Sequence, residues 1–380
     1  MSISIHEVDT SKRRQVNAFL RLPFRLYADT PQWVPPLWRD ARLQLDRQRH
    51  PFYRENDAAF FVARRNGEIE GRICAMHPRR DNAIRETEDA YFYLFECVDD
   101  QQVAGALFEA AAQWATGRGL TGALRGPLGF MAADGFGLLA EGFEHRPAVG
   151  IPYNPPYYVR LVEGVGFAVE ERHLSGYISG EWMRASFSPR VMDIAEKVKQ
   201  RYGFRTKTFD SKREVRRWVA PRLAELYERA FTHVSRDRHL TPEQVDAITR
   251  RLMLVSDPKL LKFVTKGDEV VGFVLCFLDV SAGIQRARGR LWPFGWYHIL
   301  RDARRTSWVN VNGIGILPEY QGRGGSALMY AELYQAIALQ ERLQHGEVIQ
   351  IAESNHKSLN EMKNFGTRFY KTHHVYRKPL

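Results

Sequence analysis

Apolar and polar positions alternate with a period of two in two separated stretches, Phe61–Cys74 (FVARRNGEIEGRIC) and Lys262–Cys276 (KFVTKGDEVVGFVLC). Alternation broken by a tight glycine-containing turn predicts a pair of half-buried antiparallel strands in each. Each hairpin carries a late glycine, Gly71 or Gly272, and these lie about 200 residues apart, an interval repeated from Asn154 to Asn355 and from Gly166 to Gly366. Three landmarks in one frame predict a duplicated unit. We expect an α/β chain of two like domains, residues 1–176 and 204–380, each a mostly antiparallel mixed sheet flanked by helices, joined by a connector at 177–203.

A period near 3.6 marks the helices. Val103, Leu107, Ala111 and Trp114 recur at helical spacing behind Asp99 and Asp100, which stand where a helix start takes a side-chain cap. A second helical pattern runs over Val191–Tyr202. Within Val309–Leu328 (VNVNGIGILPEYQGRGGSAL) a short apolar strand breaks at Pro318 and passes through a glycine-rich turn into a helix. There the backbone N–H groups of Gln321, Gly322, Arg323, Gly324, Gly325 and Ser326 gather where a new helix has unpaired donors and the positive end of its dipole. Glycine lets an anion approach the backbone, Arg323 adds a charge-assisted contact, and a diphosphate fits. Other nucleotide motifs do not match. Ala327 stands where a dinucleotide fingerprint needs its third glycine, and no Gly-Lys-Ser or Gly-Lys-Thr triplet occurs. In the first copy the corresponding segment is Glu96–Ala115, where Asp99 and Asp100 oppose a diphosphate, so one site per chain is expected.

The run Ile314–Ser326 resembles motif A of the GNAT superfamily of N-acyltransferases, Val-x-Pro-x-x-[Gln/Arg]-x-x-Gly-x-[Gly/Ala]. Ile316, Pro318, Gln321 and Gly324 fall on the pattern, and Ser326 departs from it, which makes the last turn of the cradle slightly tighter. Leu22–Leu37, His50–Asp57, Phe95–Asp100, Gly126–Phe130 and Ile151–Phe167 are similar to segments of long bacterial tandem GNAT-like proteins, so the likeness covers nearly the whole chain. The resemblance implies two tandem GNAT-like domains, the first degenerate. In the second it implies acetyl-CoA or another acyl-CoA as co-substrate, with its pyrophosphate on the turn and its pantetheine along the strand that carries Ile314 and Ile316. Asn355 matches the asparagine that contacts the cofactor arm. The implied reaction is acetyl transfer to an amine of a small molecule or peptide, with no metal.

Acyl transfer needs a neutral amine and a stabilised oxyanion. A backbone N–H near Ile316 serves the oxyanion. Alternation along Val309–Ile316 puts Asn310, Asn312 and Ile314 on one face, with Asn312 able to orient a water or the amine. Glu353, at the end of EVIQIAES, is the nearest carboxylate for a base. Met362 occupies the place of the family's usual tyrosine, which leaves Tyr370, Tyr376, His373 and His374 as candidate proton donors. Two other readings compete: a non-catalytic CoA-binding or acyl-CoA-sensing protein, suggested by the missing tyrosine and weak base, and a Fem-like aminoacyl-tRNA-dependent transferase, suggested by the tandem architecture and the basic insertion, which would bind tRNA and need no CoA diphosphate site.

Composition adds bounds. The 380 residues suit two domains. Cys74, Cys97 and Cys276 are odd in number and widely spaced, which suggests neither a disulfide framework nor a zinc site. No apolar run approaches the roughly 20 residues that span a bilayer, and the amino terminus has no signal-peptide pattern, so a cytoplasmic location is expected. A net charge of +11 favours anionic partners: CoA, nucleic acid or acidic lipid. Between strands of the second copy, residues 280–307 interleave Arg286, Arg288, Arg290, Arg301, Arg304 and Arg305 with Trp292, Phe294, Trp296 and Tyr297. This segment is expected to be a partly solvated lid whose aromatics pack on the sheet.

Overall fold

The computed structural model describes residues 2–131, 134–186, 189–231, 241, 243–244, 247 and 256–380. The chain forms two compact units, one of Met1–His173, Ile284–His298 and Lys371–Leu380, the other of Leu174–Gly283 and Ile299–Tyr370.

The first unit holds strands β1 (Ser4–Glu7), β2 (Asp57–Arg65), β3 (Glu68–His77), β4 (Ala90–Cys97), β5 (Ala123–Gly126) and β6 (Leu138–Glu141). Strand β7 (Ala168–Ser179) begins in this unit and ends in the second. The second unit follows with β8 (Phe204–Lys207), β9 (Leu261–Lys266), β10 (Glu269–Leu278), β11 (Trp308–Ile316) and β12 (His345–Ala352), and most of β13 (Arg368–Pro379) returns to the first. The strand order is β1-β2-β3-β4-β5-β13 in the first unit, with β6 also on β13, and β7-β12-β11-β10-β9-β8 in the second. Pairing is antiparallel through both hairpins and parallel at β4–β5 and β11–β12. The compact units therefore differ from the contiguous halves 1–176 and 204–380, and residues 177–203 supply the end of β7 and the helices Gly180–Ser186 and Pro189–Tyr202. Alternation fixes which face of a strand is buried but does not name its neighbour, so it cannot say which unit a terminal strand completes.

The repeated glycine has a packing cause. Gly71 pairs with Cys97 of β4, and Gly272 pairs with Ile316 of β11, so the two stand at equivalent places. A Cβ at Gly71 would lie 2.6 Å from Leu107 Cδ1, and one at Gly272 would meet Ile316 Cγ1 at 3.2 Å and Met329 Sδ at 3.4 Å. Glycine lets a helix, Gln101–Thr116 or Gly325–Ala338, lie close on each sheet. The first helix buries Val103, Leu107, Ala111 and Trp114 in a core with Phe92, Phe108 and Phe167, as its periodicity predicts. The second buries Leu328, Met329, Leu333 and Ile337 with Val264, Val271 and Val274.

The basic aromatic segment departs from expectation. It forms the helices Ser281–Arg286 and Gly295–Arg305, and Trp292, Phe294, Trp296 and Tyr297 are exposed rather than packed on a sheet. The chain reverses tightly between the two helices: a Cβ on Gly295 would sit 1.6 Å from the Arg290 carbonyl oxygen, so glycine is needed there.

Candidate active site

Strands β11 and β12 pair in parallel from Trp308↔His345 to Val311↔Val348, and their pairing ends there. On its other side β11 stays paired with β10 as far as Ile316. From Asn312 to Ile316, one backbone edge of β11 thus has no strand partner among the described residues. An unpaired edge offers N–H and C=O groups to any extended ligand that lies along it. The opening begins at a β-bulge, where Leu275 pairs with Gly313 while the next residue, Cys276, pairs with Val311. Asn312 is the extra residue, and it is exposed. The bulge restarts the alternation. Val309, Val311 and Ile314 therefore line one recess, which corrects the expectation that Ile314 shares a face with Asn310 and Asn312.

At the far end of β11 the chain passes through a short turn, Pro318–Tyr320, into exposed Gln321, Gly322 and Arg323. Gly324 caps the helix Gly325–Ala338 in the left-handed region (φ 79°), and a Cβ there would lie 2.6 Å from Val198 Cγ2. Ser326 follows, half-buried in the first helical turn. The Arg323 guanidinium lies over the Tyr320 ring, 5.4 Å from its centroid. Gln321 ties the turn together: its Nε2 donates to the Ile316 carbonyl at 3.4 Å, and its Oε1 accepts from Lys357 Nζ at 3.0 Å. Lys357 brings a second cation to the turn. Sequence reasoning missed it because it stands beyond β12, in the first turn of the helix His356–Asn364. Asn355 caps that helix, accepting from Ser358 N at 3.1 Å.

Beneath the open edge lies an apolar recess. Ile178, Val309, Val311, Ile314 and Val348 form its sheet side, with Tyr330, Leu333 and Ile337 from the Gly325–Ala338 helix opposite and Met362 and Phe365 closing it. The Tyr330 hydroxyl approaches Met362 Sδ at 4.0 Å, so a phenol from the neighbouring helix reaches the position where the resembled GNAT pattern carries a tyrosine. Burial raises the Tyr330 pKa, which keeps the phenol protonated.

The other face of the sheet is polar. Asn310 and Glu347 are register partners on β11 and β12, and both are buried. Asn310 Nδ2 donates to Asp279 Oδ2 at 3.2 Å. Tyr370 hydrogen-bonds to the Glu347 carboxylate, and its pKa is raised first by burial and then by the Glu347 charge. Tyr370 thus falls in a site with a carboxylate that sequence reasoning missed; the available signal was one acid inside an apolar strand, HGEVIQIA. Glu353 stands exposed in the turn after β12. His373, His374 and Tyr376 belong to the first unit. There His373 is fully buried with Nε2 3.1 Å from the Pro152 carbonyl oxygen, and burial pushes its pKa down to about 3, so it is neutral at physiological pH.

The equivalent place in the first unit is filled by protein. Strands β4 and β5 pair only at Ala90↔Leu124 and Tyr91↔Arg125. At Cys97, the counterpart of Ile316, the N–H donates to Tyr158 Oη at 2.8 Å and the carbonyl accepts from Tyr157 Oη at 2.8 Å. The Tyr158 and Tyr27 hydroxyls both donate to Glu96, at 2.8 and 2.7 Å, with Arg72 3.5 Å away. In the Asn154-to-Asn355 frame, the second copy has Ser358 and Leu359 where these tyrosines stand, and neither carries a phenol hydroxyl. Asp100 is the helix cap of the first unit, accepting from Gln102 N at 2.8 Å and Val103 N at 3.2 Å and pairing with Arg65 at 2.7 Å. Asp99 is exposed and pairs with Arg160. Asp100→Ala is expected to cost about 1 kcal/mol of stability, the usual value of a lost cap, and to leave CoA affinity unchanged. Thermal melts beside calorimetric titration check both.

The molecule has the tandem GNAT fold. It superposes on a tandem GNAT protein from the clavulanic acid biosynthesis pathway with a TM-score of 0.57 at 11% identity, covering 100% of this chain and 98% of that one. A GCN5-related N-acetyltransferase from Sphaerobacter thermophilus gives 0.51 at 14% identity, covering 99% and 95%. In sequence, the chain is 26% identical over 375 residues to the bacterial ceramide synthase of Caulobacter vibrioides, covering 96% of this chain and 95% of that protein. It is 24% identical over 381 residues to protein YghO of Escherichia coli, covering 97% and 94%. No family model matches the chain.

Proposed function

We propose that the second unit is an acyl-CoA-dependent N-acyltransferase, and that its acyl group is a chain longer than acetyl. One observation carries this reading: the open edge of β11 runs between a glycine turn suited to a diphosphate and a recess lined almost wholly by apolar side chains. The backbone of Gly322–Ser326, with Arg323 and Lys357, binds the pyrophosphate. The edge from Asn312 to Ile316 pairs with the pantetheine amides, and one of its N–H groups faces the carbonyl oxygen as it becomes negative. Glu347, oriented by Tyr370, takes the proton as the amine nitrogen bonds to the thioester carbon. The C–S bond then breaks, and Tyr330 or solvent protonates the departing thiolate.

The chain-length reading rests on the lining. An acetyl group needs no apolar recess, whereas each buried methylene contributes about 0.8 kcal/mol. The likeness to the Caulobacter ceramide synthase points the same way, since a ceramide is the amide of a fatty acid with a long-chain amino alcohol. The test follows thiol release and amide formation from acetyl-, octanoyl- and palmitoyl-CoA with a long-chain amino alcohol as acceptor. We expect kcat/KM to be at least about tenfold higher with the longer donors, the effect of roughly two buried methylenes. A maximum at acetyl-CoA would return the reading to an acetyltransferase. CoA binding without thiol release from any donor would favour the non-catalytic alternative.

A further inference from the structure

The segment Ile284–His298 carries chemistry that acyl transfer does not use. Trp292 and Phe294 are 80% and 70% exposed, and Trp296 and Tyr297 are about half exposed. Farther along the helix Gly295–Arg305, Leu300 is exposed, as are Arg301, Arg304 and Arg305, and Arg288 and Arg290 are exposed just before the aromatics. A cluster of large apolar side chains in water marks an interaction surface.

The base of this cluster is fixed. Gln285 Nε2 donates to the carbonyls of Pro31 at 2.8 Å and Trp33 at 2.9 Å, and the Gly289 carbonyl accepts from Trp38 N at 2.8 Å. Trp296 satisfies its indole N–H on the Pro293 carbonyl at 3.0 Å and keeps its ring half exposed. The aromatics are therefore held outward by a firm support.

We propose that this segment docks the protein on an anionic lipid bilayer, with Trp292, Phe294, Trp296 and Tyr297 entering the headgroup layer and the neighbouring arginines engaging lipid phosphates. Charge complementarity selects this occupant: basic residues flank the aromatics on both sides of the sequence, within a chain of net charge +11. Tryptophan and tyrosine favour the membrane interface, and an amphipathic helix with a basic polar face lies in its plane. Nucleic acid would instead be met by aromatics within a basic groove, whereas these rings are open to solvent, Trp292 and Phe294 most of all. Among the described residues no helix is long and apolar enough to cross a membrane, so the contact is with the surface. The inference does not depend on the acyl-transfer reading.

The full chain is sedimented with phosphatidylcholine vesicles containing phosphatidylglycerol, and with vesicles of phosphatidylcholine alone. Binding is expected to the anionic vesicles, to weaken with salt, and to fall at least about tenfold in Trp292→Ala/Phe294→Ala. Arg301→Glu/Arg304→Glu should lose a similar factor. Both variants should keep the parental melting temperature and CoA affinity. The proposal is overturned if the parent ignores anionic vesicles or binds neutral ones equally well, or if the aromatic variant binds like the parent. It is overturned too if the patch proves to serve a dimer or RNA, seen as self-association or gel shifts that the aromatic variant abolishes while vesicle binding is absent.

Discussion

Ser326→Glu is expected to abolish CoA binding while leaving the protein at least as heat-stable as the parent. The residue lies half-buried in the first turn of the Gly325–Ala338 helix, immediately after the glycines of the proposed diphosphate cradle. A carboxylate in a first helical turn is favourable, worth about 0.3–1 kcal/mol, so the fold has no reason to suffer. For a bound diphosphate the same carboxylate is a like charge: at roughly 4 Å and an effective dielectric of about 20, two unit charges repel by about 4 kcal/mol. A loss of affinity on the order of 100-fold or more should follow in calorimetric titration. Gly324→Asp is a poorer test, because its left-handed φ and the 2.6 Å approach to Val198 would disturb the backbone whether or not CoA binds. Parental affinity in Ser326→Glu would remove the diphosphate from this turn.

The second large effect is expected at Glu347. Glu347→Gln keeps the shape of the side chain and a hydrogen-bonding partner for Tyr370, yet it removes the group proposed to accept the amine proton. Loss of a general base costs roughly 100-fold or more in maximal rate, and CoA affinity should stay near parental. The deficit should be largest below the pKa of the acceptor amine and shrink as rising pH delivers the amine already neutral. Tyr370→Phe should lower the rate by a smaller factor, since it removes only the hydroxyl that orients the carboxylate. Glu353→Gln serves as the contrast: exposed in the turn beyond β12, it should run near the parental rate. If Glu353→Gln proves the slow enzyme and Glu347→Gln the fast one, the base is Glu353 and the buried carboxylate is structural.

The two carboxylates also mark how far sequence reasoning reaches into the site. Glu353 was legible by its position at the end of an apolar run. Glu347 was hidden because an acid at the head of that run, directly after His345 and Gly346, reads as its polar boundary until the partner strand is known. Opposite Asn310 and bonded to Tyr370, it becomes a buried carboxylate in a polar cluster assembled from separate strands. Lys357 is a similar case, a surface lysine by sequence that folding carries to Gln321.

Local pattern by itself determined the two hairpins, the glycine at which each sheet admits a helix, the buried stripe of Val103, Leu107, Ala111 and Trp114, and the strand, turn and helix around Gly324. These are consequences of period, close approach and backbone conformation within a few residues of chain, and a sequence carries them openly. Tertiary structure alone decided that β13 completes the first unit and that the end of β7 belongs to the second. It also decided that Asn312 is bulged, so that Ile314 turns into the recess, and that Tyr157 and Tyr158 fill in the first unit the edge that stays open in the second. Each of these depends on pairing between residues far apart in the chain, and neither hydrophobic period nor turn chemistry specifies a distant partner.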